Sequence, residues 1–157
     1  TQSTSFACDL KKWLQIMQAY EQGGHAYHAT MPSDALARFR DAMREAEAIG
    51  FATVREQQQE LGDRVRAMLA GKGFNSVAAP GFEAPGVVVC YTDDAQIKNG
   101  SKFAALGLQI AAGVPLQCDE PADFQTFRVG LFGLDKLSNI ERTVATLEQA
   151  LDKVLAG

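Results

Sequence analysis

The sequence has 157 residues, a length sufficient for one domain with a sizeable hydrophobic core. Its hydrophobic share of 46% and charged share of 22% are typical of globular proteins, and its net charge of −4 comes from charges scattered along the chain. It carries no basic stripe for nucleic acid and no apolar run long enough for a membrane span, so we expect neither partner. Cys8, Cys90 and Cys118 are widely spaced and odd in number, which predicts reduced thiols in a cytoplasmic protein.

The first half of the chain has the apolar spacing of helices. Apolar residues recur at intervals of three and four, and this predicts amphipathic helices at 9–22, 33–49 and 54–70. Asp9 is the expected N-cap of the first helix, and Gly50 separates the second from the third.

The second half alternates between short strands and helices. Strands are predicted at 74–78, 87–91, 108–112 and around residues 126–132, and the second of these, without alternation, is expected to be covered on both faces. One helix is expected from Asp93 or Asp94 to Leu106, and a last helix from a capping box formed by Ser138 and Glu141. This order predicts an α+β fold with a small antiparallel or mixed sheet covered by helices.

The segment 25–32 combines two histidines with two hydroxyls ahead of a helix start. His25 and His28 are too few for a zinc site, which needs three or four ligands, so no metal site is expected. Tyr27 and Thr30 lie just before a helix opened by Pro32, where free backbone N–H groups and the helix dipole favour an anion. The alternative from the residues alone is that Tyr27 packs and Thr30 only caps the helix.

The last predicted strand carries an arginine in an otherwise apolar run. Arg128, Gly130 and Phe132 fall on one face, and Phe127 and Val129 fall on the other. A guanidinium beside a residue without a side chain suits a carboxylate, which it can bind through two parallel hydrogen bonds. The alternative is an internal ion pair with an Asp or Glu, since structural pairs outnumber ligand sites.

Two segments resemble one enzyme family. The run from Thr126 to Gly133, followed by a terminal amphipathic helix, is similar to the end of class V pyridoxal-phosphate aminotransferases, in particular the alanine–glyoxylate and serine–glyoxylate (serine–pyruvate) group. The run from Tyr27 to Pro32 resembles the Tyr-His-x-Thr-x-Pro segment of the same family. The two segments occur in the family's order, about a hundred residues apart. The resemblance covers essentially all 157 residues of this sequence but only the C-terminal portion of the family.

The resemblance implies a role for three residues. Arg128 would bind the α-carboxylate of the substrate, and Tyr27 and Thr30 would reach the phosphate of pyridoxal phosphate in the partner subunit of a homodimer. No lysine of this chain stands in a sequence similar to the family's cofactor-lysine strand, so no catalytic residue is assigned here. The resemblance then implies a preceding large domain, with residues 1–32 belonging to the large-domain or linker region and 33–157 forming the small C-terminal domain.

The expected activity is that of a transaminase acting on alanine or serine and on glyoxylate or another 2-oxo acid. The chain alone is expected to be inactive, and helices that would rest on the large domain are expected to leave apolar faces exposed, which favours self-association. Two alternatives remain open. One is another pyridoxal-phosphate enzyme, such as a lyase, desulfurase or decarboxylase, and the other is a non-enzymatic module that binds a small carboxylate through Arg128.

Overall fold

The computed structural model describes residues 9–30 and 32–156, so that Cys8 and Met31 lie outside the described residues. The chain divides into two compact units, Thr1–Arg44 and Glu45–Gly157. The domain boundary expected after residue 32 stays a prediction. In the part of the chain that is described, no helix is both long and apolar enough to cross a membrane.

The helices of the first unit keep most of their apolar residues exposed. The helix α1 (Leu10–Glu21) is capped as predicted, because a side-chain oxygen of Asp9 accepts the Lys12 N–H at 3.0 Å. Ile16 is its only buried residue. The helix α2 (Ser33–Ile49), which runs on into the second unit, buries no residue at all. The exposed apolar faces that the sequence predicted are therefore present, notably Leu36, Phe39 and Met43 on α2.

The second unit contains five further helices and one sheet among its described residues. The helices are α3 (Phe51–Gly71), α4 (Ala95–Lys98), α5 (Ser101–Ala104), α6 (Leu134–Leu137) and α7 (Ile140–Ala156). The strands β1 (Val87–Tyr91), β2 (Ala111–Ala112) and β3 (Thr126–Gly130) pair antiparallel in the order β1-β3-β2. The predicted α+β class with a small antiparallel sheet is confirmed, and the arginine-bearing strand β3 is its central strand.

The core lies between one face of the sheet and the long helices. Phe127 of β3 meets Phe74 edge-on, with ring centroids 5.1 Å apart, and stacks at 6.3 Å on Phe103 of α5. Behind these rings lie the apolar stripes of α3 and α7, which the sequence largely predicted: Leu61, Val65, Leu69, Val144, Leu147, Leu151 and Val154. Ion pairs of Arg64 with Glu141 and of Lys72 with Asp152 join the two helices at the surface.

Two predicted elements differ in the structure, one in its pairing and one in its backbone geometry. The predicted strand 74–78 is wrong as a strand: it contacts β1 through one isolated bridge, Ser76 to Cys90. The single helix predicted up to Leu106 is two short helices, α4 and α5. Gly100 separates them with a φ of +79°, a conformation that cannot continue a right-handed helix.

Other corrections concern caps and faces. The predicted capping box is wrong: the side chain of Asn139 accepts the Arg142 N–H at 2.9 Å, and the Ser138 hydroxyl donates to the carbonyl of Asp135. The predicted strand 108–112 is paired only at its last two residues. The strand β1 is covered on one face, where Val88 and Cys90 are buried, while the other face is open to half-open.

The two described cysteines have different environments. Cys90 points into the core and burial raises its pKa to about 11, although the nearby charge of Arg66 opposes this shift. Cys118 is exposed in a loop. Neither of the two forms a disulfide, in keeping with the reduced thiols predicted for them.

The helix α3 holds the chain that leads into β1. Three residues at intervals of four, Gln58, Gly62 and Arg66, face this segment. The Gln58 amide donates to the carbonyl of Pro85 at 3.0 Å, and the Arg66 guanidinium donates to the carbonyls of Ala84 and Val87. Gly62 lets the backbone approach, because a Cβ built there would lie 2.8 Å from the Pro85 oxygen.

Replacing Gly62 by Ala should therefore destabilise the fold. In an isolated helix, Gly→Ala would stabilise the helix by about 1 kcal/mol. Here the added methyl group would overpack against the Pro85 backbone, which costs about 1–3 kcal/mol of folding free energy, and this effect should dominate. Urea unfolding of the chain should show a lower midpoint. As a control, Gly71→Ala, which meets no atom within 4 Å, should change stability by less than about 1 kcal/mol. An unchanged or higher midpoint for Gly62→Ala would contradict the proposed close approach.

Candidate functional site

Arg128 stands in the middle of the sheet, on the face away from the core. It pairs with Val89 of β1 on one side and with Ala111 of β2 on the other. Because successive side chains of a strand alternate, Phe127 and Val129 fill the core while Arg128 faces outward, as the sequence predicted. Arg128 is half-buried.

One backbone contact orients the Arg128 guanidinium. Its Nε donates to the carbonyl oxygen of Ala112 at 2.9 Å. The two terminal nitrogens have no hydrogen-bond partner, and no Asp or Glu forms a salt bridge with them, among the residues that the structure describes. The alternative of an internal ion pair is therefore not realised in the described chain. The two terminal nitrogens of a guanidinium can donate two parallel hydrogen bonds to one carboxylate.

Small residues keep the space beside Arg128 open. A Cβ built at Gly130 would meet no atom within 4 Å. Further along the same face, the exposed ring of Phe132 lies directly over Gly86, where a Cβ would come within 2.4 Å of the ring. The face thus presents the Arg128 guanidinium, an open volume at Gly130 and the aromatic ring of Phe132, one after the other.

The structure brings together the two hydroxyls predicted in the first unit. The Tyr27 hydroxyl and Thr30 Oγ1 are 3.5 Å apart, and both side chains are exposed. Tyr27 is 79% exposed, so the alternative that its ring is packed is not realised in the described chain. Two neighbouring hydroxyls just before α2 can donate to the same anion. Tyr27 and Thr30 belong to the first unit, and Arg128 belongs to the second.

The histidine pair has a different environment from a metal centre. The imidazole of His28 contacts the indole of Trp13 edge-on, with ring centroids 5.3 Å apart. In the described part of the chain, no three His, Cys, Asp or Glu side chains are grouped so that they could hold a metal ion. His25 and His28 therefore gain no third ligand there.

The sequence did not predict the groups that fix the Arg128 side chain. The carbonyl of Ala112 is a backbone atom, and its only sequence signal was the predicted strand at 108–112. Thr126, on the same face as Arg128, is almost completely buried, and a Cβ at Gly113 would collide with its carbonyl oxygen. Gly113 thus allows β2 to lie close to β3, which places the Ala112 carbonyl within reach of the guanidinium.

The loop before β3 is closed by a carboxylate. The side chain of Glu120 accepts the N–H groups of Gln117 at 2.9 Å and of Cys118 at 2.8 Å. Gln117 and Asp119 have positive φ angles of 59° and 64°, which turn successive N–H groups toward one point. These backbone hydrogen bonds lower the pKa of Glu120 to about 2.

Comparisons with known proteins find the fold in solved structures only. No profile of a known protein family matches the chain, and no curated protein sequence matches it. Alanine–glyoxylate aminotransferase from Nostoc sp. is similar at 19% identity with a TM-score of 0.76, over 99% of this chain and 39% of that one. Ureidoglycine–glyoxylate aminotransferase from Bacillus subtilis is similar at 21% identity with a TM-score of 0.66, over 98% of this chain and 38% of that one.

These likenesses establish a shared fold. The expected fold is confirmed, because nearly the whole chain matches a part of each of these two aminotransferase structures. The chain spans about two fifths of the length of these two structures.

The Glu120 loop should lose its shape only in strong acid. A folded pKa of about 2, below the ordinary 4.5, means that the ionised carboxylate stabilises the loop fully above pH 4.5. This contribution decreases as the pH falls below 4.5 and is lost as it falls through about 2. Amide NMR shifts of Gln117 and Cys118 should titrate with a midpoint near 2.

The variant Glu120→Gln serves as the control for this titration and should remove it from both amides. A midpoint near 4.5 in the unsubstituted chain would show that the carboxylate does not close the loop.

Proposed function

We propose that this chain is the C-terminal part of a pyridoxal-phosphate-dependent aminotransferase. The complete enzyme would transfer an amino group between a small amino acid, such as alanine or serine, and glyoxylate or another 2-oxo acid. The observation that carries the proposal is the outward guanidinium of Arg128, fixed through Nε and with both terminal nitrogens available beside the open space at Gly130. The shared fold supports it, because both similar structures are named as glyoxylate aminotransferases.

Arg128 would bind the substrate. All amino and 2-oxo acids that exchange in such a reaction carry a carboxylate next to the reacting carbon, so one guanidinium can bind each of them in turn. Two parallel hydrogen bonds fix both the position and the plane of that carboxylate. Because Nε is already held by Ala112, little side-chain freedom is lost when the substrate binds. Arg128 would raise the reaction rate by holding the reacting carbon in a fixed orientation.

Tyr27 and Thr30 would bind the cofactor through its phosphate. Their two exposed hydroxyls, 3.5 Å apart before a helix start, fit a phosphate because each can donate to one of its oxygens. Bound pyridoxal phosphate supplies the electron sink for chemistry at the amino-bearing carbon. The resemblance assigns these hydroxyls to the cofactor of a partner subunit, so the proposed enzyme is a homodimer with shared sites.

A lysine outside this sequence completes the proposal. The seven lysines of the chain lack a sequence similar to the cofactor-lysine strand, so the amine that holds the cofactor would come from a large domain joined to this chain. This chain alone would then show no transaminase activity. In the complete enzyme, formation of a new amino acid from a 2-oxo acid would identify transamination, whereas released sulfur, water or carbon dioxide would identify a desulfurase, lyase or decarboxylase.

Replacing Arg128 by Gln in the complete enzyme should raise KM for both the amino acid and the 2-oxo acid. Hydrogen bonds to charged groups contribute about 1.5–3 kcal/mol, which corresponds to roughly 10- to 150-fold in kcat/KM. Steady-state kinetics with each substrate checks this. Arg55→Gln, at an exposed arginine of α3, is the matched control and should leave both values unchanged. An unchanged KM in the Arg128 variant would refute the carboxylate role.

The shared site can be tested by mixing two impaired variants. A subunit with Tyr27→Phe and Thr30→Ala keeps its Arg128, and a subunit with Arg128→Gln keeps both hydroxyls. If the hydroxyls serve the partner's cofactor, each mixed dimer contains one intact site, and activity on mixing should rise above that of either variant alone. The control Tyr20→Phe, at an exposed tyrosine of α1, should keep full activity by itself. Failure of the mixture, with mixed dimers verified by mass spectrometry, would place all three residues in the same subunit's site.

A further inference from the structure

We propose that the second unit contains an additional ligand site, which binds a small amphipathic carboxylate with an aliphatic chain of medium length. The site is a cleft of about 260 Å³ between the free edge of β3 and the helix α7, and we call it the edge cleft. Its lining includes Leu108, Ile110, Leu147, Asp135, Lys136 and Arg142. Arg128 does not line it, and Gly130, at the edge of β3, borders both the edge cleft and the proposed substrate site.

The edge cleft exists because β2 is short. It pairs with β3 only at Ala111↔Arg128 and Ala112↔Phe127, and the preceding residues 108–110 form no ladder with β3. The Leu131 N–H donates to the carbonyl of Gly86, on the β1 side. In an antiparallel pair the backbone groups of successive residues point to alternate sides of the strand, so those of Gly130 point away from β1. Among the described residues, the edge of β3 is thus unpaired at Gly130 and borders the cleft.

The inner walls of the edge cleft are apolar. Val129, Leu131 and Leu147 are buried at its base, and Leu108 and Ile110 are half-buried on the side of the chain that leads into β2. An aliphatic chain placed here would remove apolar surface from water, at about 25 cal/mol per Å². The walls therefore favour a hydrocarbon chain over a fully polar ligand.

The mouth of the edge cleft carries an excess of positive charge. Lys136 and Arg142 line it, with Asp135 as the only acidic lining residue. Nζ of Lys136 donates to the Phe132 carbonyl at 2.8 Å and lies 3.7 Å from the Asp135 carboxylate, while the Arg142 guanidinium donates to the Asp135 carbonyl at 3.3 Å. The contacts to carbonyls orient both cations without neutralising them. One anionic head group would complement this mouth.

The dimensions of the edge cleft restrict the ligand class. Sites for drug-sized molecules have volumes of roughly 300–1,000 Å³, so a cleft of about 260 Å³ holds a smaller molecule. The single excess charge at the mouth favours a monoanion. An aliphatic monocarboxylate such as hexanoate combines the required chain, charge and size.

Titration of the purified chain with hexanoate tests the site. Amide NMR shifts of Leu131, Arg142 and Thr146 should change together and saturate with one dissociation constant, separately from any shifts around Arg128. Hexanoate should bind at least tenfold more tightly than acetate, which lacks the chain, and than hexanol, which lacks the charge. Equal binding of acetate would mean that surface cations alone attract the anion, and equal binding of hexanol would mean that the charges are not used; either result would overturn the proposal.

Two kinds of substitution refine the test. The double variant Lys136→Gln/Arg142→Gln should weaken hexanoate binding at least tenfold, and Thr146→Phe should abolish it by filling the cleft with a ring. Lys153→Gln, at an exposed lysine of the same helix, and Arg128→Gln should both keep the hexanoate-dependent shifts of Leu131, Arg142 and Thr146. Loss of binding in Arg128→Gln, or unchanged binding in Thr146→Phe or the double variant, would show that hexanoate occupies another place. The amide spectrum of each variant verifies that it is folded.

Discussion

The described structure of the second unit depends on the pairing of β3 between β1 and β2. This central strand has two incompatible faces, because Phe127 and Val129 must leave water while Arg128 must keep its charge solvated or bound. The alternation of side chains in a strand satisfies both requirements at once. A shift of the register by one residue would bury the guanidinium and expose the phenylalanine, so the burial of the core also determines where the candidate site faces.

Two glycines, one after β2 and one at the end of β3, shape the surroundings of Arg128 and of the edge cleft. Gly113 allows β2 to approach Thr126 closely, and this approach brings the Ala112 carbonyl to the Arg128 Nε. Gly130 leaves the space beside the guanidinium open, and the free edge of the strand at the same residue borders the edge cleft. The proposed substrate site and the proposed second site are thus adjacent but separate consequences of one strand. A larger residue at position 130 would alter both.

The sequence predicted those features that depend on local order. The spacing of apolar residues predicted the helices α1, α2, α3 and α7 and the outward face of Arg128. Capping and breaking residues predicted the Asp9 cap and the break at Gly50. Predictions failed where apolar spacing does not carry the deciding feature, which is pairing with another strand in one case and a positive φ angle in the other. The residues 74–78 read as a strand but contact β1 at a single bridge, and Gly100 divides a helix that periodicity alone would continue.

By itself, the sequence determined the α+β class, identified Tyr27, Thr30 and Arg128 as candidate anion-binding residues, and supplied the resemblance that implies roles for them. Residue type and spacing suffice for these, because period and functional group are properties of the chain. Only the tertiary structure decided that the Arg128 guanidinium has its terminal nitrogens free of internal carboxylates in the described chain, that a backbone carbonyl holds its Nε, and that an amphipathic cleft opens beside α7. The physical reason is that backbone acceptors, open volumes and missing partners arise from segments distant in sequence, and no local pattern specifies them.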